Sequence, residues 1–125
     1  MKKRVLIIDD HADFRAIVKD YLNRDGLDLE IFEASTAEMG VVKASCVKPD
    51  IVLMDINLPN ANGLAATKLI KEDVSNCDVI ILTMFEIEAF KQAAQKIKVA
   101  AFIGKSDIYD LLLPAVKKCL ADKEV

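Results

Sequence analysis

The chain has 125 residues, which suits one compact domain over residues 1–125 and leaves no room for two. Its 53% hydrophobic and 30% charged residues, with 4 Gly and 3 Pro, exclude disordered, collagen-like and disulfide-scaffold classes. Seventeen basic residues against 20 acidic ones leave a net charge of −3, which argues against direct nucleic-acid binding by this segment.

In chain order, the first apolar run, residues 5–8, reads as a buried parallel strand, because it is continuous instead of alternating. Phe14, Ile17, Val18, Tyr21 and Leu22 then form a helical stripe, with Gly26 as its stop signal. Residues 29–32 read as a shorter, half-exposed edge strand. Ser35 and Glu38 have the spacing of a capping box, which predicts a helix running to about Val47. Residues 51–54, 79–82 and 101–103 supply three more buried strands, and residues 63–73 and 86–96 the helices between them. The last helix buries Ile108, Leu111, Leu112, Ala115, Val116, Cys119 and Leu120. Pro114 falls within that stripe, so this helix either bends or begins later than Ser106.

The pattern is strand then helix, five times over. It predicts an α/β domain, a doubly wound parallel sheet joined by right-handed crossovers. Ligands of such sheets bind beyond the carboxyl ends of the strands, where the strand order reverses. The residues found there are Asp9 and Asp10 after strand 1, Asp55 after strand 3, Thr83 after strand 4 and Lys105 after strand 5. Each alone has an ordinary use as a helix cap or solvated loop residue. Jointly they bring three acids, a hydroxyl and a lysine to one end of one sheet. If strands 1 and 3 are neighbours, the acids repel unless a cation sits among them, and Mg²⁺ suits such oxygen donors. A carboxylate beside that cation can attack a phosphoryl group. Asp55, alone after its strand, is the best candidate nucleophile.

The pieces V-L-I-I-D-D-H, P-D-I-V-L-M-D-I-N-L-P-N-A-N-G, V-I-I-L-T and A-A-F-I-G-K carry a resemblance over almost the whole chain. The chain resembles the receiver domain of two-component response regulators. That resemblance implies a flavodoxin-like (βα)5 fold with strand order 2-1-3-4-5. It implies Asp55 as phosphoacceptor, Asp10 as direct Mg²⁺ ligand, Asp9 as its water-mediated partner and Asn57 as donor of a backbone carbonyl. Thr83 matches the switch hydroxyl, Lys105 the phosphate-pairing lysine, Phe102 the switch aromatic, and Pro59 and Gly63 the loop after the acceptor. His11 and Leu82-Thr83-Met84 look most like the subfamily with helix-turn-helix output domains. Ser106 stands where many receivers have Pro, and Met84 where a small residue is commonest.

The implied function is a phosphorelay switch that assists its own phosphorylation and dephosphorylation without being a turnover enzyme. The implied partners are a histidine kinase or histidine phosphotransfer protein, with homodimerisation on phosphorylation as a further expectation. A haloacid-dehalogenase-like hydrolase would need a second Asp where Asn57 stands. A flavodoxin-like electron carrier would need a phosphate loop where Asp9, Asp10 and Asp13 lie. The longest apolar run, residues 99–103, is too short to span a membrane, and no signal-peptide core follows the start, so a cytoplasmic location is expected. Cys46, Cys77 and Cys119 cannot all pair within one chain and are read as reduced thiols, with Cys119 buried.

Overall fold

Runs of β-branched and aliphatic residues become central strands when helices cover both faces of a sheet, and this chain builds that arrangement. The structure is a computed structural model describing residues 2–57 and 63–123. The elements are β1 (Lys3–Ile8), α1 (Ala12–Asn23), β2 (Leu29–Ala34), α2 (Ala37–Val47), β3 (Ile51–Asp55), α3 (Gly63–Asp73), β4 (Asp78–Thr83), α4 (Glu88–Lys96), β5 (Ala101–Gly104) and α5 (Ile108–Asp122). All pairings are parallel, and the sheet order is β2-β1-β3-β4-β5, as expected.

Alternate residues of each strand feed two separate cores, which is why the runs are continuous. Leu6, Ile8, Val52, Met54, Val79 and Ile81 meet Ala37, Ala44, Ala66, Ile70 and Ala94 of α2, α3 and α4. Val5, Ile7, Ile51, Leu53, Ile80 and Leu82 meet Val18 and Leu22 of α1 and Leu112 and Val116 of α5. At Gly40 of α2 a Cβ would come 2.4 Å from Ile8 Cδ1, so its small size lets that helix lie close to the sheet.

Several local expectations shift. The N-cap of α2 is Thr36, whose hydroxyl accepts from the Met39 N–H, so Ser35 and Glu38 form no capping box. Helix α4 starts at Glu88, two residues later than its stripe predicts, because the Thr83 hydroxyl binds both the N–H and the carbonyl of Phe85 and holds a turn there. Helix α5 takes the later start: a 3-10 turn covers Lys105–Asp107, and the helix continues through an exposed Pro114. Ile17 and Leu111, both expected in the core, are 44% and 49% exposed. The peptides among the described residues are all trans, including Lys105–Ser106. Pro59 lies outside the described residues.

All three cysteines are free. Cys46 is exposed, and Cys77 and Cys119 are buried. Burial pushes the Cys77 thiol up to about 12 and the Cys119 thiol to about 11, which removes their reactive thiolate at neutral pH. A thiol-specific chromogenic reagent should therefore titrate one cysteine quickly in the native protein and all three in denaturant. Fast loss of two native thiols would contradict the packing.

Candidate functional site

Strand register sets the site. Ile8 pairs with Met54, so Asp9 and Asp55 emerge at the same level of adjacent strands. Asp55 pairs with Leu82 and Thr83 with Gly104, so Thr83 and Lys105 follow one step further up. The expected residues Asp9, Asp10, Asp55, Asn57, Thr83 and Lys105 are thus gathered around one end of the sheet.

Asp9 is 2% exposed and Asp55 3%, a costly position for two acids. Backbone donors hold them: the His11 N–H reaches Asp9 Oδ1 at 2.8 Å, and the Asn57 N–H reaches Asp55 Oδ1 at 2.9 Å. Lys105 supplies a positive charge, its Nζ 2.7 Å from Asp9 Oδ2 and 3.4 Å from Asp55 Oδ2. Its ammonium also sits 4.3 Å from the centroid of the Phe14 ring. Burial raises the pKa of Asp55, and the charge of Asp9 adds to it. The Asn57 N–H and Lys105 oppose the shift without cancelling it.

A hydrogen-bond chain leads from the acids toward α4. The Asn57 side-chain amide donates to the Thr83 hydroxyl at 3.0 Å, and that hydroxyl donates to the Phe85 carbonyl at 3.0 Å. Thr83 is fully buried, whereas Met84 beside it is 63% exposed. Phe102 stands apart from the polar cluster, half-buried on β5 against the core that includes Ala94 of α4.

Two supports carry no sequence signal. Arg15 donates to the Asp9 carbonyl at 2.5 Å and to Glu33 Oε1 at 3.0 Å, tying the start of α1 to the end of β2. Phe14 belongs to an apolar stripe, and helical periodicity does not reveal that its face meets an ammonium. Gly63, matched to the loop after the acceptor, has a steric reason for its place. A Cβ there would lie 2.6 Å from Ile56 Cα and 2.7 Å from the Asp55 carbonyl, so only glycine lets α3 begin this close to β3.

The donors fit a hard divalent cation. Asp9, Asp10, His11 and Asp55 each offer a ligand atom, all within 4.8 Å of one another. Asp9 Oδ2 and Asp10 Oδ1 are buried without a hydrogen bond. Their near neighbours are cationic or ionisable nitrogens, Lys105 Nζ at 2.7 Å and His11 Nδ1 at 3.1 Å, where a cation would serve as well.

The fold is a doubly wound α/β domain with an acidic cluster at its switch point, and comparison with known proteins gives its family. Residues 5–117 match the family described as the response regulator receiver domain, and the chain belongs to that family. It is 37% identical over 105 residues to the chemotaxis protein CheY of Thermotoga maritima, covering 84% of this chain and 87% of that protein. It is 35% identical over 106 residues to a protein-glutamate methylesterase/protein-glutamine glutaminase of Archaeoglobus fulgidus, covering 83% of this chain but only 30% of that protein. Among solved structures, a LuxR-family two-component response regulator from Aurantimonas superposes with a TM-score of 0.88 at 27% identity, covering 98% of this chain and 87% of that one.

A carboxyl whose pKa rises on folding favours the folded chain when protonated and opposes it when ionised. At neutral pH the charge on Asp55 therefore costs stability. Asp55→Asn should raise the thermal midpoint by several degrees at pH 7 without added metal, and the gap should close as pH falls toward about 4. A lower midpoint for the variant at pH 7 would contradict a raised pKa at Asp55. Gly63→Ala should cost about 1–3 kcal/mol in denaturant unfolding, since its methyl group meets backbone that cannot step aside.

Proposed function

We propose that Asp55 is the phosphoacceptor of this receiver domain and takes a phosphoryl group from a phosphohistidine on a histidine kinase or histidine phosphotransfer protein. The observation that carries this reading is the pairing of a buried, backbone-oriented Asp55 carboxylate with the Lys105 ammonium at 3.4 Å. An Asp55 oxygen attacks phosphorus, the P–N bond to the donor imidazole breaks, and the nitrogen keeps the bonding electrons. Asp10, Asp9, Asp55 and the Asn57 carbonyl would hold a Mg²⁺ ion here, Asp10 as the most direct of them. When bound, the ion would supply positive charge for the phosphoryl oxygens.

Lys105 pairs with a phosphoryl oxygen, a short move from its present place between Asp9 and Asp55. The Thr83 hydroxyl, now spent on the Phe85 carbonyl, turns to donate to another oxygen. That exchange loosens the turn before α4 and lets Phe102 repack. The phosphorylated state gains population through contacts that only it makes. The domain thus acts as a switch that helps its own phosphoryl transfer and loss.

Incubation with acetyl phosphate and Mg²⁺ should add one phosphoryl group by intact mass, and Asp55→Asn should abolish it. Excess EDTA should suppress the adduct, and Asp10→Ala should slow its formation more than Asp9→Ala, by about tenfold or more. A stoichiometric adduct in Asp55→Asn would sink the assignment. Thr83→Ala should still form the adduct but confine the accompanying NMR shift changes to the acid cluster, leaving Phe102 unmoved.

A further inference from the structure

Lys105 is a buried cation whose side chain is only 8% exposed, so its ammonium has given up most of its water. Two of its neighbours are the carboxylates of Asp9 and Asp55, and the third is the face of Phe14 at 4.3 Å. An aromatic face attracts a cation through its negative quadrupole, and the attraction grows when both are desolvated. Phe14 sits in the first turn of α1, the helix that starts immediately beyond Asp9 and Asp10, and packs half-buried against the core shared with α5. Its ring is therefore fixed relative to the acids by the same short stretch of backbone.

The nearest carboxylate to Lys105 is not Asp55 but Asp9, at 2.7 Å against 3.4 Å. A divalent cation among the acids draws on that same Asp9 charge and repels the ammonium. Phe14 carries no charge, does not compete for such an ion, and remains a partner for the lysine. We propose that Phe14 is a positioning residue whose ring holds the Lys105 ammonium beside Asp55 once Asp9 is committed elsewhere. This rests on the reading of Asp55 as acceptor, and Phe14 touches neither phosphorus nor metal.

The test compares wild type with Phe14→Leu, which keeps apolar volume, and Phe14→Tyr, which keeps the ring. Without any phosphodonor, the Lys105 ε-methylene protons should resonate upfield of the other lysines in NMR spectra, because they lie near a ring face. Lys105→Met assigns that signal by removing it. Phe14→Leu should return the signal to the position of the exposed lysines, and Phe14→Tyr should leave it upfield. With acetyl phosphate and saturating Mg²⁺, Phe14→Leu should slow adduct formation roughly tenfold, with Phe14→Tyr close to wild type. In a Lys105→Met background the same Phe14→Leu change should have no further effect, as expected of a residue acting through the lysine. An unmoved Lys105 signal in Phe14→Leu, or equal slowing in both backgrounds, would overturn the proposal. If Phe14→Leu does not give a folded spectrum, Phe14→Met takes its place with the same expectations. Absence of any Asp55 adduct in wild type would overturn the acceptor reading alone, while the NMR comparison would still decide whether Phe14 holds the lysine.

Discussion

The crowding of like charge at one end of the sheet governs the rest of this protein. Three carboxylates, Asp9, Asp10 and Asp55, are brought within 4.8 Å of one another by the pairing of β1 with β3, and two of them are almost fully buried. No arrangement of neutral residues would tolerate this, and the surrounding structure answers it with backbone N–H groups from His11 and Asn57 and with the ammonium of Lys105. The answer is incomplete, since Asp55 keeps a raised pKa. A site left short of positive charge is one that a hard cation would suit.

The same neighbourhood links the acid cluster to the turn before α4. Asn57 belongs to the segment after β3 and Thr83 to the end of β4, yet their side chains share a hydrogen bond at 3.0 Å. Thr83 in turn fixes the Phe85 backbone and so determines where α4 begins. One hydroxyl thus holds together the acid cluster and the entry to a helix.

Much of this is legible in the sequence, for definite reasons. Continuous apolar runs flanked by helical stripes specify a parallel sheet covered on both faces, and in such a sheet the residues ending the strands must converge. Asp9, Asp55, Thr83 and Lys105 follow from that reasoning alone. The strand order and the roles of Asn57 and Phe102 come from resemblance, because hydropathy carries no information on which strands are neighbours. Local details depart from the pattern where a side chain competes with the helix. Thr36 displaces Ser35 as cap, and Thr83 delays α4. Ile17 and Leu111 fit their stripes by spacing but sit at the stripe margins and face solvent. Phe14 does lie on an inward face, but a pattern of apolar positions cannot say that an ammonium lies across from one of them.

The five helices are not equally anchored. Helix α5 buries Ile108, Leu112, Val116, Cys119 and Leu120, whereas among the described residues of α4 only Ala94 is buried. Just ahead of α4, Met84, Phe85 and Ile87 are exposed apolar residues, and its N-cap residue, Ile87, makes no side-chain cap. A helix with so little buried side-chain surface is expected to open more readily than α5, so its amides should trade protons with solvent before those of α5. Among the described residues, the helix with the fewest buried side chains is therefore the one that follows the turn bound by Thr83.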